Sequence, residues 1–206
     1  MAKKMCMRFL IFLFLGIFAL GCAQDKQPIL GETTFQKKLN AEFRDATMSP
    51  LTDEDRKGFK GLSFFDVDSS YVVSATLHRI PDSPWFLMKT TTDRESKERV
   101  YGVLKFELKG ISYELKVYQG EELMTQEGFE DYLFLPFLDN TNGDESYGGG
   151  RYIDLKIPEG DSLTIDFNKA YNPYCAYNAR YSCPIVPRDN YLNAEIKAGV
   201  KAYEKK

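Results

Sequence analysis

The feature that most constrains this chain is a persistent period of two. Val100, Gly102, Leu104, Phe106 and Leu108 alternate with polar residues, Lys109-Gly110 interrupts the run, and Ile111, Tyr113, Leu115 and Val117 resume it. Successive side chains of a strand point to opposite faces, so this alternation describes strands with one buried face. Two such runs joined at a glycine make a β-hairpin. Tyr71, Val73, Ala75 and Leu77 alternate with Ser74, Thr76 and His78 in the same way. Further strands are expected over Trp85 to Thr91, Asp131 to Asp139, Tyr152 to Ile157 and Leu163 to Phe167. Pro136 marks the 131–139 strand as an edge or a bulge, because proline cannot donate to a ladder.

Helical spacing is confined to the two ends of this region. Phe35, Leu39 and Phe43 recur every four residues after Thr33 or Thr34, which can cap the start, and Pro50 ends the segment. Ser49 to Arg56 reads as a short turn of helix begun by acids. Leu192, Ile196, Val200 and Tyr203 also recur at helical spacing, which predicts a closing amphipathic helix. The expected fold is mainly β: an antiparallel sandwich or barrel flanked by an N-terminal and a C-terminal helix.

The first residues have a different purpose. Lys3, Lys4 and Arg8 precede a continuous apolar run from Phe9 to Leu20. That run is shorter than the ~20 residues a membrane-spanning helix needs but suits the core of an export signal. Ala19-Leu20-Gly21-Cys22 then resembles a bacterial lipoprotein cleavage site, with Cys22 the lipidated residue. Residues 1–21 are therefore read as a lipoprotein signal peptide, 22–32 as a tether and 33–206 as a single mainly-β domain. The expected location is the bacterial cell envelope, with the membrane as partner through a lipid on Cys22. Ala23, in place of an acid, favours the outer membrane.

Charge and the single histidine exclude several classes. The 206-residue chain has a formal net charge of −3, and the leader removes three basic residues and no acidic ones. An acidic domain lacks the basic face that drives nucleic-acid binding. His78 lies on the polar side of a strand and no nucleophile-elbow motif surrounds any serine, which leaves no basis for a histidine-dependent triad. Two cysteines and a remote histidine do not supply a structural zinc site. Nothing calls for a metal or another cofactor.

The candidate functional residues fall between Asp139 and Asn190. Asp139 to Glu145 contains a turn that fails the EF-hand spacing, with its glycine one position early. Gly148-Gly149-Gly150 reads as a bend or a close chain crossing, and Arg151 beside it as a forked anion partner. Asp166-Phe167-Asn168 places an acid and an amide at a sheet end, where Asp166 is expected to pair with Arg151. Asn172, Tyr174 and Asp139 would stand opposite. In an exported chain Cys175 and Cys183 read as a disulfide stapling the tyrosine-rich loop, with buried free thiols or a reactive pair as the alternatives.

These motifs together carry a resemblance. Ser49-Pro50-Leu51-Thr52, Phe59-Lys60-Gly61-Leu62, Leu135-Pro136-Phe137 with Asp139 and Thr141, Tyr147 to Tyr152, Asp166 to Pro173, Cys175-Ala176-Tyr177, Cys183-Pro184 and Asn190 resemble the bacterial domain-of-unknown-function family 1684. The resemblance implies exported lipoprotein relatives and no established reaction. The expected function is a lipid-anchored module that binds a small molecule or an envelope partner through Asp139, Thr141, Tyr147, Arg151, Asp166, Asn168, Asn172, Tyr174 and Tyr177. The alternatives are an envelope hydrolase using Asp139 and Asp166, or a purely structural lipoprotein.

Overall fold

The computed structural model describes residues 30–204. The signal peptide, Cys22 and most of the tether lie outside the described residues. Among the described residues no helix is long and apolar enough to cross a membrane.

Eight strands form one predominantly antiparallel sheet that curls into a half-barrel. They are β1 (Val72–Arg79), β2 (Trp85–Lys89), β3 (Glu95–Leu108), β4 (Ile111–Gly120), β5 (Tyr132–Asp139), β6 (Arg151–Lys156), β7 (Ser162–Asp166) and β8 (Tyr191–Leu192). The spatial order is β6-β5-β4-β3-β1-β7, with β2 alongside the start of β3 and β8 parallel to the end of β5. The mainly-β expectation holds, and the sheet is one curled layer rather than a sandwich.

The hairpin forms where the sequence places it. Leu108 pairs with Ile111, and both turn residues are left-handed, Lys109 at φ 52° and Gly110 at φ 79°. That turn matches the twist of the strands it joins. In β3 the register slips between Val100 and Gly102, and a Cβ on Gly102 would stand 2.6 Å from the His78 carbonyl oxygen. The glycine is therefore what lets β1 approach the bulge. Inward residues of seven strands, among them Ala75, Leu104, Val117, Leu135, Phe137, Ile153, Ile165 and Leu192, build the main core. Each large aliphatic buried there contributes roughly 1.5–3 kcal/mol.

Helix α1 (Thr34–Arg44) begins with a reciprocal cap, in which the Thr33 hydroxyl accepts from the Gln36 N–H and the Gln36 side chain accepts from Thr33. Its most buried residues are Gln36, Asn40 and Phe43. Asn40 donates to the Leu30 carbonyl and accepts from the Leu62 N–H, both at 2.8 Å, so the helix is held by an amide as well as by Phe43. A single turn, α2 (Asp53–Lys57), follows, capped by Thr52.

The C-terminal helix is not formed. Residues 193–204 contain no helix and bend at Asn193, Ala194 and Gly199, with Val200 bridged to Phe64. Leu192, Ile196, Ala198 and Val200 are buried while Asn193, Glu195 and Lys197 are exposed. The underlying period is two, and the small alanines at 194 and 198 disguise it as a period of four.

The sheet forks between β4 and β5. Their ladder is one pair among the described residues, Tyr118 with Phe134, after which the strands part at Pro136. The fully buried Asn190 fills the gap. Its side chain accepts from the Lys116 N–H at 2.9 Å and donates to the carbonyls of Lys116 and Pro136 at 2.7 Å each. An amide thus stands in for a strand where proline has removed a donor.

Candidate functional site

The residues expected to form a ligand site are divided between three places. Asp139, Thr141 and Arg151 do converge, but inside a filled core. The Arg151 guanidinium lies 2.7 Å from Asp139 Oδ2, and neither side chain has any exposed surface. Arg151 also donates to the Ile196 carbonyl at 2.8 Å and to that of Ala198. Asp139 Oδ1 accepts from the N–H and hydroxyl of Thr141 and from the Ile196 N–H. Burial draws the Arg151 pKa down, opposed by Asp139. The contacts with Ile196 and Ala198 tie the segment after β8 to β5 and β6. The expected Arg151–Asp166 pair is therefore replaced by Arg151–Asp139, bridging two neighbouring strands.

Asp166 stands apart from this cluster. It accepts from the N–H and side-chain amide of Asn168, and Lys169 lies 3.4 Å away. Asn168 in turn exchanges hydrogen bonds with the backbone of Asp68, so the pair secures a turn at the end of β7. Asn172 donates to the Lys201 carbonyl and to the Tyr177 hydroxyl. Tyr177 packs on Phe43 with ring centroids 4.7 Å apart, and Tyr174 packs on Phe43 and Tyr181. The tyrosine-rich loop is thus the surface that receives α1.

Cys175 and Cys183 are adjacent free thiols, not a disulfide. The Cys175 N–H donates to Cys183 Sγ at 3.2 Å, and Tyr147 Oη lies 3.9 Å from Cys175 Sγ. The hydrogen bond from Cys183 holds the Cys175 thiol down to about 6, while the same contact and burial push Cys183 up. The glycines before Arg151 form the expected close crossing. Gly150 has φ 88°, and a Cβ there would stand 2.7 Å from the Phe137 carbonyl oxygen.

One of the open clefts among the described residues, of about 350 Å³, is lined by Glu98, Gly120, Tyr132, Phe134, Tyr152 and Tyr171. Such a volume is at the lower end of small-molecule sites. Glu98, on the face of β3 opposite the main core and level with Tyr118 and Phe134, is 6% exposed. One carboxyl oxygen accepts from the Ser96 hydroxyl at 2.6 Å, and the other is buried without a hydrogen-bond partner. Opposite it in the ladder is Gly120, where a Cβ would come within 3.1 Å of the carboxyl. The missing side chain makes the room that Glu98 occupies. Burial pushes the Glu98 carboxyl pKa up, partly offset by Ser96 and Arg94.

The walls are aromatic. Phe134 and Tyr152 meet edge to face at 4.7 Å, and Tyr152 and Tyr171 at 5.9 Å. The hydroxyls of Tyr132 and Tyr171 both donate to Asp154 Oδ1, and that of Tyr152 donates to the Pro184 carbonyl. Burial raises the pKa of all three phenols, so they stay neutral. A buried acid with an unmet oxygen inside an aromatic enclosure can accept a hydrogen bond, balance a cation, or act as a proton donor. Sequence reasoning missed Glu98 because it began this strand at Val100. No local signal marked it, because the register slip between Val100 and Gly102 turns Val100 and Glu98 to the face opposite Leu104, the face of Tyr118, Phe134 and Tyr152.

A family model described as a protein of unknown function, DUF1684, matches residues 57–201. A solution NMR structure of an uncharacterized protein from Haloarcula marismortui is similar, at 35% identity and a TM-score of 0.64. The similarity covers 81% of this chain and 89% of that one. No curated protein matches the chain. The family match over most of the sheet, from the end of α2 to the segment held by Arg151, makes the chain a member of the DUF1684 family.

Proposed function

We propose that this protein is a lipid-anchored module of the bacterial cell envelope that binds a small molecule in the Glu98 cleft. The observation that carries the binding reading is the unpartnered carboxyl oxygen of Glu98, a residue that lines the cleft together with Tyr132, Phe134 and Tyr152. Buried polar groups are almost always hydrogen-bonded, and an acid without a partner in a cleft is an acceptor waiting for a donor. Asp139 and Arg151 pair with each other in a filled core, where Arg151 Nε alone of the guanidinium nitrogens lacks a partner, so the site moves from the 139–190 loops to the open cleft. The anchor rests on the sequence before Cys22, and the outer membrane is favoured by Ala23.

The binding reading is tested by a thermal-shift screen of small molecules against the wild type and Gly120→Val, whose side chain would crowd Glu98. Ligands that stabilise the wild type and not the variant support it. Ligands equally effective on both would place binding elsewhere. For the anchor, Cys22→Ser should move the protein from the membrane to the soluble fraction, and unchanged membrane association would refute lipidation.

The raised pKa of Glu98 favours one second reading, an envelope hydrolase in which this carboxyl is the general acid in place of Asp139 or Asp166. Turnover of an ester, glycoside or phosphate that is lost in Glu98→Gln would replace binding with catalysis.

A further inference from the structure

Resting on the reading of the cleft as a ligand site, we propose that its ligand presents a primary ammonium group, seated against Glu98 and enclosed by the aromatic walls. The charges around the cleft point to a cation. The basic residues at its margin already have partners. Arg94 donates from Nε and Nη2 to the hydroxyl and carbonyl of Ser182, each at 3.0 Å. Lys97 Nζ is 2.7 Å from Glu121. Glu98 itself forms no ion pair among the described residues, and its second oxygen has no donor. The remaining ionisable group at the margin, Glu122, is an exposed acid. An anionic ligand would meet this carboxyl without a free cation to hold it.

The walls agree with the floor. The phenol hydroxyls of Tyr132, Tyr152 and Tyr171 are tied to Asp154 and Pro184, so what these residues contribute to the cleft is ring surface. Aromatic faces carry negative potential and attract cations, most strongly where water is excluded. A neutral donor would satisfy the orphan oxygen alone. An ammonium satisfies the oxygen through an N–H, balances the buried carboxylate, and interacts with the rings. The requirement for an N–H at that oxygen selects a primary ammonium over a fully alkylated one.

Three probes of one shape and different charge test this: isopentylamine, isopentanol and isovalerate. Each is titrated into the full-length protein at neutral pH while the amide shifts of Glu98 and Gly120 and the ring shifts of Tyr132 are followed by NMR. The amine should bind roughly tenfold more tightly than the alcohol, the margin expected of a charge-assisted hydrogen bond, and isovalerate most weakly. Glu98→Gln should bring amine and alcohol to the same affinity. Glu98→Asp, which keeps the charge, should retain the preference for the amine even if the glutamine variant folds poorly. If the alcohol or the acid binds as well as the amine, or the preference survives Glu98→Gln, the ammonium assignment is overturned while the cleft remains a binding site. If none of the probes shifts Glu98, Gly120 or Tyr132, both readings fail.

Discussion

Arg151→Ala separates a clamp from a ligand site. The truncation removes the donor to Asp139 Oδ2 and strands the carbonyls of Ile196 and Ala198. Asp139 keeps the Thr141 N–H and hydroxyl and the Ile196 N–H on its other oxygen, so its charge is still partly solvated by the protein. Neither side chain of the pair is exposed, and the guanidinium also rests near the rings of Phe137 and Phe65. Losing one partner of a buried ion pair costs about 3–5 kcal/mol. The stranded carbonyls argue for the upper half of that range. In a domain of this size each kcal/mol lowers Tm by roughly 2–4 °C, so the expected fall is roughly 8–20 °C. Thermal melts followed by circular dichroism, with urea unfolding to confirm an unchanged m value, read it directly. Asp166→Asn is the matched control. Its amide can still cap the Asn168 turn and it forfeits only a partly exposed contact with Lys169, a loss of about 1 kcal/mol or less. A wild-type Tm for Arg151→Ala, or a larger loss for Asp166→Asn, would refute the clamp.

Other consequences are open to measurement. Because burial raises the Glu98 pKa, the free protein loses stability as pH rises from the unfolded carboxyl value, roughly 4.3, through the higher folded one. Glu98→Gln should therefore melt higher than wild type at neutral pH and equal to it at pH ~3.5, below both values; a deficit at neutral pH would contradict the uncompensated carboxylate. Cys175, held down to about 6, should be alkylated by iodoacetamide at neutral pH well before Cys183, whose thiol is pushed up. Under denaturing, non-reducing conditions peptide mapping should find an adduct on each of Cys175 and Cys183, and a peptide pair carrying none would mean that the two are oxidised. Asn190→Ala should cost about 3 kcal/mol by stranding backbone groups of Lys116 and Pro136, each worth ~1–3 kcal/mol. Asn190→Asp should be at least as damaging, since a carboxylate cannot donate to two carbonyls; a tolerated aspartate would mean that those donations are unimportant.

Much of the sheet was legible in the chain because alternation is local. The Leu108–Ile111 hairpin, the inward row Val73, Ala75 and Leu77, and the Thr33 cap each depend on residues a few positions apart. The terminal segment misled because Leu192, Ile196 and Val200 fit a period of four as well as alternate members of a period of two. Only the burial of Ala198 decides between them. The candidate site was harder for a related reason. Arg151 and Asp139 stand out individually, yet their pairing comes from the β5–β6 ladder, in which Phe137 is the partner of Arg151, and sequence alone offers Asp166 on equal terms. Glu98 and Val100 are turned to the face opposite Leu104 by the register slip before Gly102, which simple alternation does not reveal, and the isolation of Glu98 is set by Gly120 across the ladder and by rings more than thirty positions away.

The fork filled by Asn190 has a mechanical consequence for the cleft. Glu98 and Gly120 come from β3 and β4, whereas Tyr132, Phe134 and Tyr152 come from β5 and β6. Floor and wall thus belong to two rafts of sheet, joined through the Tyr118–Phe134 pair and the Asn190 amide. A rotation of one raft against the other about that joint would lift the aromatic wall from the carboxyl or press it down. The angle between floor and wall is thus fixed in part by a side chain that does not line the cleft.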